Sequence, residues 1–591
     1  MQKSKFNQHP AVEVEGNFPV NHGWESIVSQ LLKEVHSRRK KTSVLAVEYY
    51  PGVLEDEVSS ELIKGIGPVL VIQTKTLLWS ESVIRKMVYP DVTDDRVFGF
   101  LTRLNLDAFF DPEKIRQASA AIDSVQEGIV LVLGTGATLV WQNPDILVYA
   151  DMARWEIQQR MRCHEVNNLG LSNKNTADWM LLYKQGFFVD WRVCDRWKKE
   201  LMLQWDYLLD TNNRTEPKMV TGNGILAGLK KSLTRPFSVV PFFDPGPWGG
   251  QWMKEHCNLD PVQENYAWCF NCVPEENSLL LKFGESIIEI PSINLVFFDP
   301  GKLLGEAVYD RFGSEFPIRF DYLDTIDGGN LSLQVHPLTS YIREKFGMSY
   351  TQDESYYMME AKPGATVYLG LKEGVNPDAM ISDLLSAQAG TAPFDTEKHV
   401  QTWPVTKHDH FLIPAGTVHC SGKDSMVLEI SATPFIFTFK LWDWGRLGLD
   451  GKPRPINIEH GKNNIQWDRT TEWTRKNLVN RIEKVSEGDG WLEERTGLHE
   501  LEFIETRRHW FTGKVLHHTG GGVNVICLVE GLHAVVESPA NAFAPFVVNY
   551  AETFIVPASV GDYTIRPYGA GEGKQCGTMK AYVRKIPETQ K

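Results

Sequence analysis

The 591-residue chain contains no apolar run that approaches the ~18 residues needed by a membrane-spanning helix. Its first residues, MQKSKFNQHPAVEVEG, also lack the apolar segment of a secretory signal. Cysteine is sparse, and its eight positions are scattered rather than grouped into a disulfide framework. We therefore expect a cytoplasmic protein in a reducing compartment, without a membrane partner.

Long clusters of basic residues are also missing. Lys and Arg total 61 against 75 Asp and Glu, which gives a net charge of -14. The short run SRRKK near residue 40 is typical of the solvated end of a helix. Because binding to a phosphodiester backbone needs a basic face, we expect no nucleic-acid partner.

The length favours several domains, since about 150 residues is typical of one. Residues 1–40 are interpreted as a helical lead-in, because apolar residues recur there at helical spacing. From 41 to 220, strand patterns alternate with helix patterns. This alternation predicts an α/β domain with a mainly parallel sheet.

The α/β region resembles the small P-loop nucleoside and sugar kinases, with VLAVEYYPGVLEDEV where a strand, a phosphate loop and a helix would lie. It lacks the GxxxxGK(S/T) motif, and its turn carries Glu55, Asp56 and Glu57, which would repel a polyphosphate. A second Gly-rich turn, GTGAT at 134–138, lacks the following Lys, so a tight strand-to-helix turn is predicted. The resemblance therefore implies a kinase-like domain without kinase activity.

Beyond about residue 235, short strand patterns are separated by Gly, Pro, Asn and Asp. Such spacing predicts mainly-β domains of the sandwich or jelly-roll type, which is the architecture of cupins. We predict a first domain of this type over 235–500, with a helical segment near 462–500, and a second one over 501–591. The expected fold class is thus multidomain, with an α/β domain followed by two cupin domains.

Polar side chains in this β region could form a metal site. Gln334 and His336 alternate in LSLQVHP, so a strand would point both to the same face. Glu354 or Glu360 in QDESYYMME and His419 in IPAGTVHCSG could complete the set, and Glu354 is preferred. Such a set offers a divalent metal mixed nitrogen and oxygen ligands, as catalytic zinc requires. The alternative is a group of satisfied polar side chains in the mouth of a sandwich.

Five motifs occur in the order of a known family: PGPWGGQWM, FDYLDTIDGGNLSLQVHP, DESYYMMEAKPGATVYLGL, FLIPAGTVHCSG and FKLWDWGRLGLDGKPRPINIEH. From about 235 to the end, the chain therefore resembles the type I phosphomannose isomerases, zinc cupins that interconvert mannose 6-phosphate and fructose 6-phosphate. The resemblance implies one zinc ion per chain, with Gln334, His336, Glu354 and His419 as ligands. It also implies a sugar-phosphate substrate and an enediol intermediate, with Glu429 as the candidate base.

Two positions depart from that family pattern. Lys440 stands where the family has arginine, and it lacks the planar bidentate fork of that residue. Asp321 stands where the family has lysine, and its negative charge would have to be compensated by Arg319 or Arg446. Lys440 and Arg446 are our further candidate catalytic residues. Alternative functions are a cupin that senses a sugar or sugar phosphate, and a bifunctional kinase and isomerase.

Several other motifs predict no metal site. His408 and His410 form an HxH in a polar turn and are interpreted as surface histidines. The second cupin contains ETFIVPASVGDYTI, which imitates the IPAGTVH turn, but Tyr563 or Thr564 stands where a ligand histidine would be. We therefore expect no metal in the second cupin.

Two further pairs of potential ligands are excluded as metal sites by their spacing. Cys269 and Cys272 form one CxxC, but a structural zinc site needs a second pair of ligands at matching spacing, so they are interpreted as ordinary reduced cysteines. His517 and His518 would point to opposite faces of any strand. Neither pair predicts a chelate, and the oligomeric state is not predicted by any pattern.

Overall fold

The computed structural model describes residues 5–432, 437–447, 454, 456–497 and 499–584. The chain divides into two compact units. The α/β unit consists of residues 11–232 and 278–298, and the β unit consists of the described parts of 1–10, 233–277 and 299–591. Among the described residues, no helix combines the length and the apolar character that crossing a membrane requires.

The strands up to residue 324 are, in chain order, β1 (Ala11–Glu13), β2 (Asn21–His22), β3 (Thr42–Tyr49), β4 (Leu70–Gln73), β5 (Gly128–Gly134), β6 (Ile146–Asp151), β7 (Tyr207–Asp210), β8 (Lys218–Thr221), β9 (Phe242–Asp244), β10 (Trp268–Cys272), β11 (Ser278–Phe283), β12 (Ser286–Pro291) and β13 (Arg319–Asp324). The next strands are β14 (Leu333–Val335), β15 (Glu354–Ala361), β16 (Thr366–Leu371), β17 (Val400–Pro404), β18 (His410–Ile413), β19 (His419–Ser421), β20 (Ser425–Ser431) and β21 (Phe439–Trp442). The last strands are β22 (Glu483–Gly488), β23 (Trp491–Gly497), β24 (Ile504–Phe511), β25 (Val515–His518), β26 (Asn524–Glu530), β27 (His533–Glu537), β28 (Phe546–Asn549), β29 (Thr553–Val556), β30 (Asp562–Pro567) and β31 (Cys576–Val583).

The helices of the α/β unit are α1 (Gly23–Ser37), α2 (Glu55–Ile66), α3 (Glu81–Val92), α4 (Pro112–Asp123), α5 (Ala137–Val140), α6 (Arg154–Arg162), α7 (Trp179–Gln185), α8 (Trp191–Leu201) and α9 (Gly222–Ser232), together with α11 (Ile293–Phe298), which follows β12. The helices beyond residue 250 are α10 (Trp252–His256), α11 (Ile293–Phe298), α12 (Pro300–Leu304), α13 (Glu306–Phe312), α14 (Thr339–Phe346), α15 (Pro377–Gln388), α16 (Thr396–His399), α17 (Ile458–Lys462) and α18 (Thr471–Asn477).

A seven-stranded sheet in the order β2-β8-β7-β6-β3-β5-β4 forms the centre of the α/β unit. The strands β4, β5, β3, β6 and β7 run parallel to one another, whereas β8 and β2 are antiparallel to their neighbours. The central strand β3 is buried along almost its whole length, as its continuous apolar run VLAV requires. The likeness to kinases stays a prediction.

The Gly-rich turn GTGAT of this unit binds a side chain of the chain itself. In GTGAT, the backbone N–H groups of Gly136 and Thr138 donate hydrogen bonds to the Glu48 carboxylate. Gly136 has φ of +81°, which glycine adopts without strain. Burial raises the pKa of Glu48 to about 7, although these hydrogen bonds oppose the shift. The position after β5 that could receive an external anion therefore holds an internal carboxylate.

The predicted acidic turn is the beginning of a helix. Glu55, Asp56 and Glu57 form the first turn of α2. Carboxylates at this end of a helix interact favourably with its dipole. The three charges thus stabilise the start of the helix, and Asp56 also pairs with Lys75 at 2.8 Å.

Residues 278–298 belong to the α/β unit, which corrects their predicted place in the 235–500 domain. Strand β11 pairs in parallel with β1 and in antiparallel with β12. The indole N–H of Trp155 donates to Glu289 at 2.8 Å, and the amide of Asn294 donates to Asp151 at 2.6 Å. The apolar strands find partners more than 100 residues away, and a local pattern cannot reveal such partners.

The β unit contains two sandwiches. In the first sandwich, a six-stranded sheet β18-β15-β20-β13-β10-β9 accompanies a five-stranded sheet β17-β16-β19-β14-β21. In the second sandwich, a six-stranded sheet β22-β23-β24-β31-β26-β29 accompanies a four-stranded sheet β25-β30-β27-β28. All strand pairs within these four sheets are antiparallel, in agreement with the predicted cupin-like β architecture.

The helical segment predicted near 462–500 is wrong over its second half. Helix α18 ends at Asn477, and the chain then forms the hairpin β22–β23 at the edge of the second sandwich. The turn between the two strands contains Gly490 with φ of +73°. Because β22 is an exposed edge strand, it carries polar residues on both faces, and its composition imitates that of a surface helix.

Candidate metal centre

The four predicted ligands come from both sheets of the first sandwich and are buried. Gln334 on β14 lies opposite His419 on β19. His336 follows β14 directly, and Glu354 is the first residue of β15 in the facing sheet. Glu354 stands 18 positions after His336, and His419 stands 65 positions after Glu354, but the antiparallel sheets bring these residues together.

The side chains converge on the Glu354 carboxylate. Its Oε2 lies 3.1 Å from Nε2 of His336, and its Oε1 lies 2.8 Å from Nε2 of His419. The Gln334 amide lies 3.2 Å from the same nitrogen of His419. Ligand atoms of His336, Glu354 and His419 all lie within 4.8 Å of one another, and among the described residues this is the group that could hold a metal ion.

Both histidines are fixed by a hydrogen bond on the far side of the ring. Nδ1–H of His336 donates to the carbonyl of Phe437 at 3.0 Å, and Nδ1–H of His419 donates to the carbonyl of Thr417 at 2.8 Å. These bonds select the tautomer in which Nε2 carries the lone pair. Two lone pairs therefore face the carboxylate, which is the arrangement that a cation between them would stabilise.

Unsatisfied atoms give a second indication of a cation. In the described part of the chain, Nε2 of His336 and Oε1 of Glu354 are buried without a hydrogen bond, although such atoms are normally paired. The amide N–H of Gln352 donates to Glu354 at 2.9 Å and fixes the carboxylate. The residues present therefore fit a metal ion.

The other candidate ligands lie outside this group. Glu360 lies near the other end of β15 from Glu354 and is partly exposed. His408 accepts a hydrogen bond from the Tyr357 hydroxyl at 2.8 Å. His410 is fully buried, which corrects its interpretation as a surface histidine, since its strand β18 pairs with the interior strand β15.

Glu429, the candidate base, lies on the same face of its sheet as Glu354. It stands opposite both Tyr356 on β15 and Asp321 on β13. The Arg319 guanidinium donates to Glu429 at 3.0 Å and lies 2.7 Å from Asp321. Burial, together with the charge of Glu354, raises the pKa of Glu429 well above its usual range. Arg319 is thus the residue that compensates the charge of Asp321.

The candidates Lys440 and Arg446 belong to a cluster of cations beside the metal site. Lys440 on β21 stands opposite Gln334, and burial lowers its pKa to about 7, with nearby Arg454 acting in the same direction. Asp443 accepts hydrogen bonds from Arg446 at 2.7 Å and from Arg454 at 2.8 Å. The predictions missed Arg454, although it lies in the GKPRP segment of the last family motif.

In the corresponding turn of the second sandwich, the two described side chains at the predicted ligand position bind other groups. The Tyr563 hydroxyl donates to Asn524 at 2.8 Å, and Thr564 donates weakly to the carbonyl of Glu537 at 3.4 Å. His517 is buried and His518 is exposed, so the two rings face opposite sides of β25. Cys269 and Cys272 are buried free thiols whose pKa values are raised well above the usual range by burial.

Known proteins resemble different parts of this chain. A family model described as a domain of unknown function, DUF8485, matches residues 23–234. A mannose-6-phosphate isomerase of Streptococcus mutans is 26% identical over 215 residues, which is 36% of this chain and 62% of that relative. The mannose-6-phosphate isomerase ManA of Bacillus subtilis is 22% identical over 357 residues, which is 59% of this chain and 98% of that relative.

A solved structure shares the same coverage. The crystal structure of the mannose 6-phosphate isomerase from Bacillus subtilis aligns with 59% of this chain and 99% of its own, with a TM-score of 0.47 and 18% sequence identity. The matched part of this chain thus spans less than two thirds of the Streptococcus relative but nearly the whole of the Bacillus relative.

Proposed function

We propose that the chain is a zinc-dependent aldose–ketose isomerase that acts on a sugar phosphate, with mannose 6-phosphate and fructose 6-phosphate as the leading pair. The observation that carries this proposal is the convergence of His336, Glu354 and His419, with both Nδ1 atoms fixed by backbone carbonyls. The names of the relatives from Streptococcus and Bacillus support the substrate class.

Two imidazoles, a carboxylate and the amide of Gln334 form a donor set that suits zinc. When bound, zinc would supply a Lewis acid that polarises the sugar carbonyl and stabilises the developing charge on its oxygen. The protein's own task at this position is to hold His336 and His419 in one orientation, which the hydrogen bonds to Phe437 and Thr417 achieve.

Glu429 is the proposed base. The reaction moves a proton from C2 of the aldose to C1, and one carboxylate can serve both adjacent carbons. Arg319 orients this carboxylate, and Asp321 fixes the other side of the same guanidinium. Because burial raises the pKa of Glu429, its carboxylate accepts a proton more strongly than an exposed one.

The cation cluster is the proposed site for the substrate phosphate. Arg446 and Arg454 flank Asp443, so this region carries a net positive charge. The planar guanidinium groups suit phosphate oxygens. Lys440, whose pKa is about 7, can exchange a proton near neutral pH and is placed between this cluster and Gln334. We assign it the transfer of protons between the sugar hydroxyls.

Metal analysis and a coupled assay test the proposal together. The purified protein should contain about one zinc ion per chain and convert mannose 6-phosphate into fructose 6-phosphate. His336→Ala should lose both the zinc and the turnover, whereas the control His518→Ala, an exposed histidine, should keep both. A protein that binds zinc but turns over no phosphorylated or free aldose would contradict the isomerase proposal.

A sensor for a sugar phosphate is the second candidate. The observation that favours it is the guanidinium of Arg319, which holds Glu429 and Asp321 in a buried ion-paired group. A base held in this way could bind substrate without accepting its proton. Calorimetric binding of mannose 6-phosphate without turnover, together with turnover in Asp321→Asn, would support the sensor.

A further inference from the structure

A second group of polar side chains lies inside the second sandwich, between its two sheets. We call it the distal cluster, and it consists of Glu493, His509, His517, Thr578 and Lys580. His509 and Lys580 alternate with Phe511 and Cys576 of the apolar core along β24 and β31, so they point to the same interior. His517 alternates with the core residue Val515 along β25 of the facing sheet.

The two histidines of the distal cluster face each other across the sandwich. Their ring centroids are 4.5 Å apart, at an interplanar angle of 69°. In the described part of the chain, Nδ1 of His509, Nε2 of His517 and Oγ1 of Thr578 are buried without a hydrogen bond. Three unsatisfied polar atoms in one interior are costly unless a ligand or solvent pairs with them.

Glu493 binds one face of the cluster. Its carboxylate lies 3.4 Å from Nε2 of His509 and accepts a hydrogen bond from the Ser486 hydroxyl at 2.9 Å. The hydrogen bond to His509 is the main reason why the pKa of Glu493 is lowered to about 2. The negative charge of Glu493 is therefore shared between His509 and the Arg507 guanidinium, which lies 3.5 Å from the same carboxylate, and the unsatisfied Nδ1 of His509 is a different ring nitrogen from the one that faces Glu493.

Lys580 determines whether the distal cluster favours an anion or a cation. It is 8% exposed, and it forms no ion pair with any described residue. Burial lowers the pKa of Lys580 to about 8, and burial also lowers the pKa values of His509 and His517, with His509 and Lys580 both acting on His517. His509 and Lys580 both disfavour the charge of His517, whereas the carboxylates of Glu493 and Glu505 favour the charge of Lys580. An anion beside His517 would stabilise the positive charge that the neighbouring basic groups oppose, and a cation there would not.

The remaining charged groups near the cluster act on Lys580 in opposite directions, since Glu505 raises its pKa and Arg507 lowers it. Arg507 pairs with Glu505, Tyr582 donates to Glu505, and Tyr563 donates to Asn524 and stacks on His517. Their charges and hydroxyls are therefore already paired.

We propose that the distal cluster binds a small oxyanion, namely the carboxylate or phosphate group of a metabolite. Lys580, Thr578 and His517 are the donors, and His509 becomes a fourth donor when it is protonated against Glu493. The site is separate from the metal centre and does not depend on the proposed isomerase activity. Because the basic groups gain protons when the anion enters, binding takes up protons from solution.

Titration calorimetry on the full-length protein tests the proposal, with inorganic phosphate and citrate as separate probes. The wild type should bind one equivalent more of at least one probe than Lys580→Met, and buffers of different ionisation enthalpy should show proton uptake for that equivalent. Loss of the donor should weaken binding by about tenfold or more. The matched control Lys514→Met removes an exposed lysine of the same sandwich and should bind as the wild type does.

His517→Gln is a second variant of the same cluster, to be used if Lys580→Met does not fold. Equal stoichiometry in the wild type and in both variants would overturn the proposal. It would also be overturned if zinc, rather than either anion, bound at this cluster with retention in Lys580→Met and loss in His517→Gln. Turnover in the isomerase assay should be the same in Lys580→Met as in the wild type, so failure at either site is recognised separately.

Discussion

The two sandwiches of the β unit each place a pair of buried histidines between their sheets, but the charged side chain that accompanies the pair differs. In the first sandwich, Glu354 lies between His336 and His419, with separate oxygens 3.1 and 2.8 Å from the two rings. In the second sandwich, Glu493 lies 3.4 Å from Nε2 of His509 alone of the two rings, and Lys580 lies on the same face of the sheet as His509. A carboxylate between two imidazoles favours a cation, and an ammonium beside them favours an anion.

The hydrogen-bond acceptors of the imidazole rings also differ between the two sandwiches, and this difference again favours a cation in the first and an anion in the second. Backbone carbonyls receive the Nδ1–H of His336 and of His419, which leaves a lone pair on both inner nitrogens. A carboxylate receives Nε2–H of His509, and this partner also stabilises the charged ring. The same residue type thus serves as a ligand in one sandwich and as a potential donor in the other, according to the group behind it.

Removal of the carboxylate from the first pair should have the largest effect. In Glu354→Gln, two imidazoles remain without an anion between them, so the metal site of the first sandwich loses its charge balance. We expect zinc content to fall to a small fraction of that of the wild type and turnover to fall on the order of a thousandfold. Elemental analysis and the coupled assay measure the two effects.

The control for this change lies on the same strand. Glu360→Gln neutralises a partly exposed carboxylate of β15 outside the cluster and should keep both zinc and activity. Retention of zinc in Glu354→Gln, or its loss in Glu360→Gln, would show that the third ligand has been assigned to the wrong residue.

Glu429→Gln separates chemistry from metal binding in the first sandwich. The amide keeps the shape of the side chain and a contact with Arg319 but cannot accept a proton. We expect kcat to fall by about a hundredfold or more, with zinc content unchanged. A normal kcat would exclude Glu429 as the base, and loss of zinc would indicate a structural role.

Arg454→Met tests the guanidinium groups beside the metal site of the first sandwich. Arg454 binds Asp443 and contributes positive charge near Lys440. We expect KM for the sugar phosphate to rise by about tenfold, with a smaller change in kcat, because a guanidinium–phosphate contact is lost. Arg343→Met, on the last turn of α14, is the surface control. An unchanged KM would place the phosphate elsewhere.

The convergence of His336, Glu354 and His419 was predictable from sequence because these residues lie in or next to strands with distinctive turns. LSLQVHP and IPAGTVH each contain the residues that flank a ligand, and β14 and β19 form where these motifs stand. The sequence left open whether Arg319 or Arg446 pairs with Asp321. The observed pairing of Arg319 with Asp321 and Glu429 depends on the register between β13 and β20. Register is set by long-range packing, which local residue patterns do not encode.

The distal cluster escaped prediction for a related reason. His509 and His517 are eight residues apart and belong to strands of different sheets, so neither strand alone shows a pair on one face. The sequence shows His517 next to His518, but His518 lies on the opposite, exposed face of β25 and does not belong to the cluster. The hairpin β22–β23, which carries Glu493, was predicted as a helix, so the carboxylate partner was also out of place.

The smallest expected effect is a change in the pH dependence of stability, and it sharpens the contrast between the two sandwiches. Burial lowers the pKa of Lys580 from 10.5 to about 8. Between these two values, the unfolded chain binds more protons than the folded chain at this residue, so the lysine's contribution to stability rises with pH and is least favourable below about 8. Lys580→Met lacks this dependence. The melting temperature of the variant, relative to the wild type, should therefore be higher at pH 7 than at pH 10 by about one to two degrees.

Differential scanning calorimetry at both pH values, in buffers free of phosphate and carboxylate, measures this difference, with Lys514→Met as the control. Phosphate added at pH 7 should raise the melting temperature of the wild type more than that of Lys580→Met, because both keep the cations beside the metal site but only the wild type keeps the ammonium of the distal cluster. A difference between variant and wild type that stays constant from pH 7 to pH 10 would mean that Lys580 is not destabilised by its surroundings. In that case the second pair of histidines would lack the excess positive charge that distinguishes it from the first.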